Sequence, residues 1–119
     1  MGRALAARLD ATSLSIDDLL TAAKAVTTAR SHPGLHVMSV LNHIEYFTTR
    51  SVDQLKADAT VQHEATWPAI EKVIRNHATW GSPIVIDGWA LRPKRVAELD
   101  LGNVTSLWLV AEASVLEER

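Results

Sequence analysis

The run Pro83-Ile84-Val85-Ile86-Asp87-Gly88-Trp89 constrains this chain more than any other stretch. Branched apolar residues between Pro and Asp-Gly, with long helical patterns on both sides, read as a buried parallel strand rather than a half-solvated hairpin. In open α/β sheets, ligands bind outside the carboxyl ends of the strands. Asp87 occupies such an end and is the first residue to suspect of chemistry. Asp-Gly is also common turn punctuation, so a turn or helix cap is the alternative role for the same side chain.

The rest of the chain surrounds this strand with helices. Gly2 to Leu9 carries Leu5 and Leu9 at helical spacing, and Thr12-Ser13-Leu14-Ser15 is short and β-compatible. Asp17 and Asp18 stand where the next helix begins, with Leu19, Leu20, Ala23 and Val26 as its apolar positions. Ser31-His32-Pro33-Gly34 predicts a break, and Val37, Leu41 and Ile44 predict a helix from Leu35 to Phe47. Ser51 followed by Gln54 is a capping box that opens the longest helix, running toward His77 and interrupted or kinked near Trp67-Pro68. Pro93 is well placed as the first residue of a helix to Leu99. Gly102-Asn103 then turns the chain into a second strand, Val104 to Val110, and Ala113 to Arg119 opens a last helix.

This order implies parallel pairing with right-handed crossovers, hence an α/β sandwich. Its strand ends line one rim with Ser15, Asp17 and Asp18, then Asp87, then Glu112.

Composition narrows the function classes. A chain of 119 residues with 47% apolar and 22% charged residues is one globular domain. Twelve Lys and Arg against 14 Asp and Glu, scattered along the chain, give no electrostatic case for nucleic acid. The absence of cysteine excludes disulfides, thiolate zinc sites and cysteine nucleophiles. No apolar run approaches the ~20 residues of a membrane span and no signal-peptide core stands at the N-terminus, which points to a cytoplasmic protein. Of the five histidines, His32 and His36 are separated by Pro33-Gly34, while His63 and His77 imply no third ligand. They read as partly exposed helix residues. The four tryptophans flank element boundaries and read as packing.

With those residues in view, the chain resembles a P-loop kinase of the small-substrate type, the group of 2-phosphoglycerate-kinase-like and zeta-toxin-like phosphotransferases. Gly2 to Leu9 resembles the helix that follows the phosphate-binding loop. Leu14-Ser15-Ile16-Asp17-Asp18-Leu19 is similar to the end of the second strand, and Ile84 to Leu91 to the third strand with its acidic terminus. Leu107-Trp108-Leu109-Val110, with Leu116 and Arg119, resembles the fourth strand and the approach to the lid. The resemblance implies an incomplete three-layer parallel-sheet sandwich, with residues 35–78 as an inserted helical substrate-side segment. The loop pattern G-x-x-x-x-G-K-[ST], whose backbone N–H groups and Lys hold the β and γ phosphates, is absent. The first strand and the last strand with its lid are missing as well.

The roles carried over follow residue by residue. Asp18 or Asp17 would accept the proton of the substrate hydroxyl, and Asp87 would be a catalytic carboxylate near magnesium or the substrate. Ser15, Arg92 and Trp89 would bind substrate, Arg92 through a planar fork of donors that matches an oxyanion. Arg119 would be a lid arginine toward the nucleotide. The implied reaction is ATP-dependent phosphorylation of a small metabolite with Mg²⁺, and the truncated domain as written is expected to lack it.

In the family's strand order the first strand lies between the third and fourth. Its loss leaves a slot of ~10 Å between strands that should each be ~4.8 Å from it. The alternative function is therefore a non-catalytic interaction module that completes its sheet as a homodimer or on a partner.

Overall fold

The computed structural model of the protein describes residues 1–39 and 41–111. Its sheet has two strands, β1 (Thr12–Ser15) and β2 (Ile84–Asp87), paired in parallel with Thr12 opposite Ile84 and Ser15 opposite Asp87. Helix α1 (Gly2–Leu9) precedes β1 and touches both strands. Alternation along the pleat sends successive side chains to opposite faces. Ile86 accordingly packs into the core while Asp87 lies against Gly2, the first residue of α1.

The parallel pairing requires a long crossover, and residues 16–83 supply it. Helix α2 (Ile16–Ala25) starts directly from β1, and the Ser15 hydroxyl accepts from the Asp17 N–H at 3.2 Å. After it come α3 (Pro33–His36), a 3₁₀ turn (Val37–Ser39) and α4 (His43–Thr49). The predicted single helix from Leu35 to Phe47 is thus split. Pro33 begins a short helix instead of ending one, and the Asn42 side chain caps a new start by accepting from the Glu45 N–H at 2.9 Å.

Helix α5 (Val52–Trp80) has 29 residues and opens at the predicted cap, with the Ser51 hydroxyl accepting from the Gln54 N–H at 3.1 Å. The expected interruption near Pro68 does not end the helix, which runs through it. A proline inside a helix costs about 3 kcal/mol. Trp67 and Ile70, buried on either side of it, each return about 1.5–3 kcal/mol of apolar burial and outweigh that loss. The core they join contains Ile16, Ala90 and Leu99, with Leu19, Ile74, Ile86, Leu91, Val96 and Leu101 packed around it. Helix α6 (Pro93–Glu98) begins at Pro93 as its sequence demands.

The second predicted strand is corrected. Val104 to Val110 carries no strand, and Leu107, Leu109 and Val110 are exposed. A strand exists only where a neighbour at ~4.8 Å takes its backbone hydrogen bonds. Among the described residues β1 is the sole neighbour of β2, and nothing pairs with Val104 to Val110. The architecture is therefore mixed α/β with a two-stranded parallel sheet under a long helix. The helix predicted for Ala113 to Arg119, along with Glu112, lies outside the described residues.

Candidate functional site

Two adjoining features surround the C-terminal end of β2. The first is the strand-end rim. Ser15 and Asp87 face each other in register, and Asp17 and Asp18 occupy the exposed first turn of α2. A Cβ built on Gly2 would come within 2.7 Å of the Asp87 carboxylate, so the helix start and the acid are in direct apposition. The first N–H groups of a helix lack internal partners and carry partial positive charge, which suits a carboxylate there.

Gly88 makes the turn that follows. Its φ is +154°, and a Cβ on it would lie 2.6 Å from Ile16 Cβ. No other residue lets the backbone leave β2 so close to the start of α2. The turn sends Trp89 and Arg92 across to α5, where the second feature begins.

That feature is an open groove of about 650 Å³ between α5, the α3–α4 connection and residues 89–93. Met38, Phe47, Val52 and Leu55 form an apolar wall, while Lys56, Thr60, His63 and Arg92 form a polar one. Arg92 is half-buried, not solvated. Its Nε donates to His63 Nδ1 and its Nη2 to Thr60 Oγ1, both at 3.2 Å. Among the described residues no carboxylate pairs with it, because the nearby Glu64 is held by both arms of Arg95. The Arg95 guanidinium keeps the Glu64 carboxyl below the usual carboxylate range.

His63 is the residue that sequence reasoning misjudged. It is 5% exposed, and Trp89 stands edge-on to its ring with centroids 4.5 Å apart. Because Nδ1 accepts from Arg92, the hydrogen-bond network assigns the ring proton to Nε2, and that atom is buried with no partner among the described residues. Burial, and then the positive charge of Arg92, hold the imidazole below its ordinary pKa, so the ring is neutral at neutral pH. A signal for this face was present in the spacing: Lys56, Thr60 and His63 are i, i+4 and i+7 on one helix. The partner arriving from residue 92 was not visible in any local pattern.

Below the groove, Tyr46 is fully buried and donates to Asp58 Oδ2 at 2.5 Å, while Gln54 donates to Asp58 Oδ1 at 2.8 Å. Burial, followed by the Asp58 hydrogen bond, pushes the Tyr46 phenol up to about 12. This network fixes α4 on α5 and shapes the apolar wall.

The structure thus brings Ser15 and Asp87 together at one edge and Trp89 and Arg92 together in the groove. Arg119 lies outside the described residues. No group of three or more His, Cys, Asp or Glu side chains that could hold a metal ion is present among the described residues, and none of their helices is long and apolar enough to cross a membrane. Comparison of the chain with family models, curated proteins and solved structures finds no match.

Proposed function

We propose that this chain forms the acceptor-substrate side of a P-loop kinase-like domain, whose reaction is ATP-dependent phosphoryl transfer to a small hydroxylated metabolite. The observation that carries the proposal is the apposition of Asp87, at the carboxyl end of a parallel strand, with Gly2 at the start of α1. In phosphoryl transfer most of catalysis is positioning and charge stabilisation. A helix start and a strand-end carboxylate side by side supply a place for phosphate and for the cation that accompanies it.

The residues present fit one such cation. Mg²⁺ takes one or two carboxylates and fills its remaining positions with water and phosphate oxygens, so the exposed Asp87 suffices as the protein ligand. When bound, the ion neutralises charge on the phosphates. Asp17 or Asp18 would accept the proton of the attacking hydroxyl from the first turn of α2.

Two titrations with Mg-ATP test this. The 119-residue chain lacks the phosphate cradle and is expected neither to bind nor to turn over ATP. A version carrying a strand and a G-x-x-x-x-G-K-[ST] loop ahead of Gly2 is expected to bind it, and Asp87→Asn in that version should weaken binding about tenfold or more. A folded loop-bearing version that ignores nucleotide, or turnover by the chain alone, overturns the proposal.

One observation favours a second function. Leu107, Leu109 and Val110 are 71–89% exposed, and the sheet has two strands among the described residues, which together suit completion of the sheet across a homodimer. Light scattering should then give a dimer that Leu109→Asp converts to monomer. A monomeric mass at every concentration eliminates this alternative.

A further inference from the structure

The groove beside the rim has the makings of a ligand site in its own right. We infer that it binds a small organic oxyanion, a phosphate monoester or carboxylate on an apolar body, with Arg92 and Lys56 on the anion. This deepens the phosphotransferase proposal by naming the substrate class of its acceptor side, and rests on it only for the chemistry that would follow.

Three independent observations converge. First, the groove is two-sided in chemistry, with Phe47, Val52 and Leu55 facing Lys56, Thr60 and Arg92 and no carboxylate among the described residues that line it. An oxyanion with an apolar body matches both walls at once; a free inorganic anion or a neutral hydrophobe matches one. Second, Arg92 is held in place through Nε and Nη2 by two neutral acceptors, His63 and Thr60. A guanidinium oriented by neutral partners keeps its full charge for a ligand, whereas Arg95, paired with Glu64 and Glu98, has spent it. Third, the buried Nε2–H of His63 has no partner among the described residues. An orphaned buried donor costs about 1–3 kcal/mol, and a ligand acceptor oxygen that reached it from the groove His63 lines would remove that cost.

Trp89 has the position of a movable cover. It packs edge-on against His63 and is 57% exposed, so its displacement gives up the smaller part of its surface. Occupancy of the groove is therefore expected to move Trp89 and to place a ligand oxygen on His63 Nε2.

The test is a titration of the whole chain with phenyl phosphate and with benzoate, without nucleotide or magnesium, followed by the indole N–H of Trp89, the Nε–H of Arg92 and the His63 ring nitrogens in NMR spectra. Saturable shifts of these three groups are expected with at least one probe, and the stronger of the two identifies phosphate or carboxylate as the anion. Arg92→Ala should weaken binding about tenfold or more, and Lys56→Ala, on the exposed side, about two- to threefold. Arg92→Lys keeps the charge but not the fork and should fall between wild type and Arg92→Ala.

Absence of saturable shifts in the folded chain up to ~10 mM overturns the inference, as does equal affinity in Arg92→Ala and Lys56→Ala. Equal binding of benzyl alcohol shows an apolar crevice, and equal binding of inorganic phosphate shows a point charge; either overturns it too. If Arg92→Ala fails to fold, Lys56→Ala and the benzyl alcohol arm decide. Because nucleotide is absent throughout, failure here leaves the strand-end proposal standing, and failure of ATP binding leaves this site standing.

Discussion

Two stretches of this chain have nearly the same local character and opposite fates. Ile84 to Asp87 and Val104 to Val110 are both short apolar runs bounded by turn residues, yet the first is a strand and the second is not. Propensity does not separate them. What separates them is a neighbour: β2 finds β1 in register and places Ile86 in the core, whereas Val104 to Val110 finds no ladder partner among the described residues and leaves Leu107 and Val110 in solvent. Strand formation is a tertiary event, because the backbone groups of an isolated extended run gain nothing over water.

The sharpest way to break this contrast is to attack the point where β2 enters the fold. Gly88→Val introduces a side chain at a φ of +154° and within contact of Ile16 Cβ, so backbone strain and overpacking act together. The expected loss is roughly 3 kcal/mol or more by urea denaturation. Leu109→Thr, in the unpaired run, is expected to change stability by less than about 0.5 kcal/mol. Comparable losses from the two substitutions would mean that Val104 to Val110 is structured after all and that the contrast is false.

How much could be read in advance follows the same division. The cap at Ser51, Pro93 as the first residue of α6 and the start of α2 rest on residues within a few positions of one another, and they are legible; the common rim of Ser15 and Asp87 follows from the α/β strand order, while their pairing in register is visible only in the fold. The new start that Asn42 caps is not legible, since it depends on one amide side chain outcompeting a continuous apolar stripe. The groove was half legible. Arg92 and Trp89 were suspected as substrate contacts, but the burial of His63 depends on a segment 29 positions away folding back onto α5. That distance removes it from any periodicity.

A smaller effect sharpens the contrast from the side of the groove, where residues 89–93 are secured through His63. Burial and Arg92 lower the His63 pKa from its ordinary 6.5. The unfolded chain therefore takes up this proton first, so the stabilising difference is present above pH 6.5 and is lost as pH falls below it. The slope for one proton is at most about 1.4 kcal/mol per pH unit. Urea midpoints between pH 5 and 8 should show this fall in wild type and a flatter curve in His63→Gln. Equal slopes would show that His63 titrates as in solution, and that the Arg92 contact does not depend on a neutral ring.

The smallest effect concerns a side-chain hydrogen bond that ties the start of the unpaired run to α5. Asn103 Nδ2 donates to the Ala78 carbonyl at 3.0 Å, one of the last-turn carbonyls that a helix cannot satisfy internally. Asn103→Ala should cost about 0.5–1 kcal/mol, the net value of an exposed hydrogen bond. Asn103→Asp should cost more, because a carboxylate cannot donate and sits at the negative end of the helix. The amide of Val104, which donates to Leu101, should then exchange faster in both variants while the β2 amides keep their wild-type rates. If β2 exchange accelerates as well, the two runs are coupled through α5, and the difference between them is one of degree set by a shared helix end.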